Sequence, residues 1–236
     1  MIYAAILAGG VGKRFGSSDI PKQFLEIKNK PIIIYTIEKF LVNDNFEKII
    51  VLTPKEWIEH TKDIVKKYLN AEKVVVIEGG ETRNDTIMNA INYIESEDNL
   101  NDDTIIITHD SVRPFVTHRI IEDNIKAVKE FGACDTVIEA TDTIVESNNN
   151  SFITSIPERK YMYQGQTPQS FKALELKETF LSLTDNEKTI LTDAAKIYVL
   201  KNKTVQLVKG ETYNIKITYP YDLRIARSLL EETEND

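Results

Sequence analysis

The chain reads as an α/β fold: a mostly parallel sheet with helices on both faces and a protruding β-arm. Two observations carry this expectation. Short apolar runs alternate four times with segments of helical period, and that rhythm stops after Phe131, where short β-like pieces take over. Parallel strands need crossover connections, and helical crossovers cover both faces of the sheet, so the alternation dictates the layering.

The first run, IYAAIL from residue 2, is short and apolar and stops at Gly9 and Gly10, as a buried strand feeding a loop does. The stretch 5–24, AILAGGVGKRFGSSDIPKQF, sets Gly9, Gly10 and Gly12 beside Lys13, Arg14 and Lys22. Backbone N–H groups and three cations can there meet a ligand with several negative charges, and a nucleoside triphosphate fits. On spacing alone, a surface turn with solvated charges fits equally well. Pro31 suits a first helical turn, and Ile34, Ile37, Phe40 and Leu41 follow at helical spacing. KIIVLT over 48–53 is the second strand, and its helix runs through Trp57, Ile64, Val65 and Tyr68. KVVVIEGG is the third, closing on Gly79 and Gly80, with Ile87, Ala90, Ile91 and Ile94 on the next helix. TIIITHD over 104–110 is the fourth, and Ile120, Ile121, Ile125 and Val128 mark the helix after it.

Beyond Phe131, three pieces read as β: CDTVIEA, DTIVES, and the segment 152–163 after the turn at Asn148, Asn149 and Asn150. Residues 140–165 are therefore expected to form an extended hairpin arm. An arm that cannot bury both faces within its own subunit predicts a homodimer. A helix from Phe171, another from Thr192, a strand TVQLV and a last helix after Pro220 complete a single domain, 1–236, of the Rossmann-like class.

Composition narrows the function. The hydrophobic fraction of 42% and charged fraction of 28% suit a globular protein that buries its own core. A formal net charge of −8 argues against a nucleic-acid-binding face, so any cationic site is local. The one cysteine, Cys134, forms no internal disulfide, and its apolar setting reads as a buried small hydrophobe. The N-terminal apolar run is too short for a membrane span and lacks the basic flank of a signal peptide, which predicts a cytoplasmic protein without membrane contact.

Ligands of open α/β sheets sit outside the carboxyl ends of the strands. This chain places three polar, phosphate-compatible loops there: 9–14, 79–86 and 110–113. The dinucleotide fingerprint fails, because Gly10-x-Gly12 is followed by Phe15 and the second strand ends in Thr53-Pro54. The P-loop pattern fails as well, with Leu7 at its first glycine position and Arg14 after Lys13. In GGETRNDTI the paired glycines let backbone groups meet a planar base edge and Thr86 offers a hydroxyl, while Asn84 or Thr82, taken singly, reads first as a helix N-cap. Asp110, closing an apolar strand, suits Mg²⁺, which borrows most of its oxygens from phosphates and water. His109 and Ser111 beside it do not make a hydrolase triad, since adjacent strand residues face opposite ways and no GxSxG elbow exists. His60, His109 and His118 lack metal-ligand spacing.

Seven separated motifs, LAGGxGxRFG, PKQF, GGETRNDT, HDSVRPF, QTPQSF, TDAA and NIKIT-x-P-x-DL, run from the first strand to the last helix. Together they resemble the small cytidylyltransferases that charge sugar-alcohol phosphates with CTP. That family contains ribitol-5-phosphate cytidylyltransferases of teichoic acid and capsule synthesis, and 2-C-methyl-D-erythritol 4-phosphate cytidylyltransferases of isoprenoid synthesis. HDSVRPF and YQGQTPQSF look more like the ribitol branch. The resemblance implies that Ala8, Gly9, Gly10 and Gly12 wrap the triphosphate, with Arg14, Lys22 and Lys216 as the catalytic cations. It further implies cytosine and ribose on Gly79, Gly80, Glu81 and Thr86, Mg²⁺ on Asp110, and Arg113 on the acceptor side. Thr143 and Arg159, on the arm, would hold the polyol phosphate of the neighbouring subunit. A UTP-dependent sugar-1-phosphate nucleotidyltransferase and a non-catalytic nucleotide-binding module are the rival readings.

Overall fold

The structure, a computed structural model, describes residues 1–10, 20–97 and 100–232. Among them seven strands form one sheet. The first unit is β1 (Ile2–Leu7), a two-stranded ribbon of β2 (Glu26–Ile27) and β3 (Lys30–Pro31), and helix α1 (Ile32–Leu41). Pro31 caps α1 with an extended ψ of 141°, as its missing N–H allows at a helix start. Then come β4 (Lys48–Thr53), α2 (Ile58–Tyr68), β5 (Val74–Glu78), α3 (Arg83–Glu97), β6 (Ile105–Asp110) and α4 (His118–Phe131). Thr117 caps α4 by accepting from the Ile120 N–H, and Gly132, with a φ of 83°, ends it in a conformation a side chain resists.

The expected alternation is realised as four parallel strands in the order β5, β4, β1, β6. Every residue of β1 is buried, because one face packs under α1, α2 and α4 and the other under α3 and the C-terminal helices. Ile2, Ala4 and Ile6 enter one core cluster while Tyr3, Ala5 and Leu7 enter the other. A strand covered on both faces needs an unbroken apolar run, and each fully buried Ile contributes about 1.5–3 kcal/mol.

The second half departs from expectation in three places. CDTVIEA is indeed a strand, β7 (Ala133–Glu139), but DTIVES and 152–163 are not; a lone antiparallel bridge between Glu146 and Ser155 is what they make. The arm is still a hairpin-like excursion, closed at its base where the Ala140 N–H donates to the Met162 carbonyl over 3.0 Å. The helix expected from Phe171 begins at Ala173, because β8 (Tyr163–Lys172) runs through QTPQSF between β6 and β7, antiparallel to both. Helices α5 (Ala173–Leu181), α6 (Asp185–Thr189) and α7 (Ala195–Leu200) follow, the last starting three residues beyond Thr192. Strand β9 (Gln206–Lys209) pairs in parallel with β7 at the sheet edge, and α8 (Pro220–Glu232) ends the chain. No helix among the described residues is long and apolar enough to cross a membrane. Cys134 is buried, and burial pushes its thiol up to about 12, so it stays a protonated packing group.

Candidate active site

A cleft of about 440 Å³ opens at the carboxyl ends of β1, β5 and β6. From the sequence-level candidates it gathers Gly9, Gly10, Lys22, Gly80, Glu81, Thr86, Asp110 and Lys216. Gly12 and Arg14 lie outside the described residues. Ala8 is buried just before the cleft's glycines: its N–H donates to the Leu52 carbonyl over 2.8 Å, and its own carbonyl accepts from the buried Gln23 amide over 2.7 Å. Gln23 thereby anchors the PKQF turn beneath the glycine loop. It carries no catalytic signature of its own, so only its place in PKQF could have flagged it. Lys22, one residue earlier, donates to the Ile217 carbonyl over 3.0 Å, tying the turn to the NIKIT segment.

The second wall is the loop into α3. The Gly79 N–H continues the β5 ladder to Thr53, and the Gly80 N–H donates to Thr86 Oγ1 over 3.0 Å. A Cβ at Gly80 would stand 2.4 Å from the Asp85 Cβ, so no side chain fits there. Thr82 caps α3: its Oγ1 accepts from the Asp85 N–H, and Asp85 accepts in return from the Thr82 N–H. The capping reading of this loop is thus realised on Thr82, while Gly80, Glu81 and Thr86 line the cleft. Thr86 is buried and gives its own proton to the Thr82 carbonyl over 2.8 Å. Its hydroxyl shapes the loop around the paired glycines.

Asp110, at the end of β6, is the electrostatic centre. Oδ1 accepts from Arg83 over 2.5 Å, and Oδ2 from Arg113 Nε over 3.2 Å and from Lys216 over 3.0 Å. Burial alone would raise its pKa, but Arg83, Lys216 and Arg113 together hold the carboxyl well below its usual range. Arg83, a loop neighbour of the glycines in sequence, is a site cation in space. His109 is buried against Thr167 and the Arg113 carbonyl. The Arg113 carbonyl 3.0 Å from Nε2 can only accept, so Nε2 carries the proton and Nδ1 accepts from Thr167 Oγ1 at 3.0 Å. Thr167 Oγ1 accepts in turn from the Asp110 N–H. Burial lowers the His109 pKa to about 4, so the ring stays neutral and fixes the turn that carries Asp110 and Arg113. Asn214 completes this scaffold, accepting Arg113 Nη1 on its carbonyl and donating its amide to the Thr167 carbonyl.

Asp110 offers a metal one carboxylate, and among the described residues no group of three or more His, Cys, Asp or Glu stands ready to hold an ion. That donor set fits a Mg²⁺ that arrives with its phosphates and keeps its waters, and it does not fit an all-protein cage. Arg113 lines a smaller chamber behind the cleft, together with Thr167 and Lys216. Thr143 and Arg159 are not brought to either cavity. Both are exposed on the arm, where Arg159 donates to the Thr141 carbonyl over 3.0 Å and lines a separate open pocket with Glu139 and Lys160.

The family model described as IspD, 2-C-methyl-D-erythritol 4-phosphate cytidylyltransferase, matches residues 2–232. Among solved structures, the Francisella tularensis 2-C-methyl-D-erythritol 4-phosphate cytidylyltransferase is 30% identical with a TM-score of 0.80, over 96% of this chain and 98% of that one. The Anaerococcus prevotii 4-diphosphocytidyl-2C-methyl-D-erythritol synthase is 26% identical with a TM-score of 0.79, over 98% of each chain. The Thermus thermophilus 2-C-methyl-D-erythritol 4-phosphate cytidylyltransferase, at 24% identity and a TM-score of 0.72, shares the fold over 97% of this chain and 98% of that one. A match that begins in β1 and ends in α8, laid over a cleft of converging cations and glycine loops, places this chain in the IspD family of cytidylyltransferases, and the protein is a nucleotidyltransferase.

Proposed function

We propose that the protein transfers CMP from CTP to D-ribitol 5-phosphate, giving CDP-ribitol and pyrophosphate as a precursor for teichoic acid or capsule assembly. One observation supports the choice of acceptor. The two segments that look like the ribitol branch, HDSVRPF and YQGQTPQSF, meet side by side at the cleft, joined through His109, Thr167 and the Asp110 N–H. The alternative acceptor is 2-C-methyl-D-erythritol 4-phosphate, which the names of the solved relatives carry.

In this reading an oxygen of the acceptor phosphate attacks the α-phosphorus of CTP in line, and the bond to the bridging oxygen breaks as pyrophosphate leaves. The attacking phosphate is already ionised at neutral pH, so the site needs cations and positioning more than a general base. Gly9 and Gly10, with Gly12 and Arg14, cradle the triphosphate, and Lys22 and Lys216 offset the charge of the two approaching anions. Gly79, Gly80, Glu81 and Thr86 hold the nucleoside. The family is divalent-metal dependent, and we assign Mg²⁺ to Asp110. When bound, the ion neutralises phosphate charge and polarises the phosphoryl oxygens. In this reading the enzyme works in the cytoplasm, where CTP and a polyol phosphate would be its substrates.

The arm supports a homodimer. Phe152, Ile153, Ile156 and Tyr161 are exposed along it, an apolar display that a second subunit would cover. In that assembly Thr143 and Arg159 reach the neighbour's acceptor phosphate. A monomeric mass in solution with full activity would remove that role. The acceptor is tested by pyrophosphate release from CTP with ribitol 5-phosphate and with 2-C-methyl-D-erythritol 4-phosphate side by side; preference for the latter overturns the ribitol reading, and equal use of UTP overturns cytidine selectivity.

A further inference from the structure

Lys216 is 43% exposed, and its Nζ lies 3.0 Å from Asp110 Oδ2. It is carried by residues 210–219, which belong to neither a helix nor a strand. A cation that serves a reacting phosphate has to stand within about an ångström of its working position, and a long side chain on irregular backbone does not place itself.

The bonds that fix this backbone come from outside the cleft. Upstream, the Gln166 amide donates to the Glu211 carbonyl over 2.8 Å and the Asn214 amide to the Thr167 carbonyl over 2.9 Å. Downstream, Asp222 Oδ2 accepts from the Thr218 N–H over 2.7 Å and from the Tyr219 N–H over 2.8 Å. Thr218 lines the cleft, and its Oγ1 donates back to the Lys216 carbonyl over 3.2 Å. A short chain of hydrogen bonds thus runs from Asp222 through Thr218 to the backbone of Lys216. Between those two residues Ile217 is fully buried with Ile27, Ile32, Val112 and Ala226, in a cluster separate from the two that cover the sheet. Its N–H donates to the Val112 carbonyl over 2.9 Å.

Helix α8 begins at Pro220, so Asp222 stands at its third position and reaches back over the helix start, as the acid of a capping box does. An ordinary cap would do no more than steady its own helix. Here the capped N–H groups belong to the segment that carries Lys216, while none of the described residues lining the cleft belongs to α8. The helix therefore reaches the site indirectly, by fixing that segment.

We propose that Asp222 is a positioning residue for Lys216: by tying the Thr218 and Tyr219 N–H groups to the start of α8, it sets where the Lys216 ammonium stands relative to Asp110 and an arriving phosphate. The inference rests on the charge-neutralising role given to Lys216 above and deepens it with a residue that touches no substrate.

A mutant cycle on the full-length enzyme tests it. Asp222→Ala, Lys216→Ala and the two combined are assayed by pyrophosphate release at saturating CTP and ribitol 5-phosphate. Asp222→Ala is expected to lower kcat about ten- to a hundredfold, the cost of displacing a reacting group by about an ångström. Because that loss runs through Lys216, the double variant is expected to be no slower than Lys216→Ala alone, which a merely structural role would not produce. Asp222→Asn, whose Oδ1 still accepts, is expected to stay within about threefold of wild type. Thr184→Ala removes the cap of α6, which lines no part of the cleft, and is expected to leave kcat unchanged. Should the alanine variant fail to fold, Asp222→Glu, with the same charge on one more methylene, takes its place, with a smaller loss that again vanishes in the Lys216→Ala background. Asp222→Ala with wild-type kcat overturns the positioning role, as does Asp222→Asn as slow as Asp222→Ala, or a double variant slower than Lys216→Ala by the full factor of Asp222→Ala. Lys216→Ala with wild-type kcat instead overturns the role of Lys216, and wild-type enzyme that turns over no polyol phosphate overturns the reaction itself.

Discussion

Replacing Asp110 by Asn isolates what the carboxylate does before substrate arrives. Three cations converge on it, and their exposures decide how much each contributes. The Asp110 side chain is 7% exposed and Arg113 11%, so that pair is buried; Arg83 at 25% is partly screened and Lys216 at 43% mostly so. Removing one partner of a buried pair costs about 3–5 kcal/mol, because the remaining charge is left without compensation. The Lys216 contact adds no more than about 1 kcal/mol. A total of about 4 kcal/mol corresponds to a fall of about 8–16 °C in Tm for a chain of this size. Metal-free pyrophosphate should return much of it, since its oxygens can take the place of the missing carboxylate. Saturation at a hundred times Kd stabilises by about 2.7 kcal/mol. Thermal melts of wild type and Asp110→Asn, with and without pyrophosphate, read both effects. The cations would be shown to stand apart from Asp110 if the variant lost less than about 1 kcal/mol, or if pyrophosphate raised both Tm values equally.

Lys22→Ala should lower kcat about a hundred- to a thousandfold at saturating CTP, measured by pyrophosphate release; full activity would remove Lys22 from the charge-neutralising set. Gly80→Ala forces the start of α3 away from the loop, since its Cβ would meet Asp85, and should cost about 1–3 kcal/mol in urea melts together with weaker CTP binding. Asp135→Asn should stabilise the protein, increasingly so as pH rises. The native carboxyl holds its proton to about 7 while the unfolded chain loses it near 3.8, so wild-type stability falls across that window by up to about 4 kcal/mol, and the amide is spared the loss. Urea melts on either side of the window check it, and a gain independent of pH would refute the buried-charge argument.

The parallel half of the sheet was legible because burial on both faces leaves an apolar run no other reading, as in IYAAIL and KIIVLT. Strand β8 was not. Its centre, QTPQS, is polar and contains a proline, which argues against an internal strand. The contradiction is resolved only in three dimensions. Ser170 donates to the buried Asn124 side chain, Thr108 donates to the Gln169 carbonyl, and Thr136 donates to the Pro168 carbonyl, so these three polar groups are matched by residues distant in sequence. The register shift beside Pro168 absorbs the place where a ladder bond is missing. No window of a single segment holds those partners.

The site divides along the same line. Gly9, Gly10, Gly80, Lys22, Asp110 and Lys216 stand in short motifs whose chemistry is local, a glycine loop or a charge at a strand end, and they come together as the carboxyl-edge rule requires. What those motifs do not state is how the charges are arranged when no phosphate is present. Asp110 reads in sequence as a metal ligand with one task, whereas in the folded protein it neutralises Arg83, Arg113 and Lys216, which would otherwise repel one another. The same holds for His109 and Asn214, whose value lies entirely in what they orient. A site that must bring two anions together needs an excess of cations, and an excess of cations in a folded chain needs an internal counter-ion that yields to the substrate. Asp110 meets the second need directly, a carboxylate flanked by cations from three segments separate in sequence, Arg83 at the start of α3, Arg113 after β6 and Lys216 before α8, which only the fold assembles.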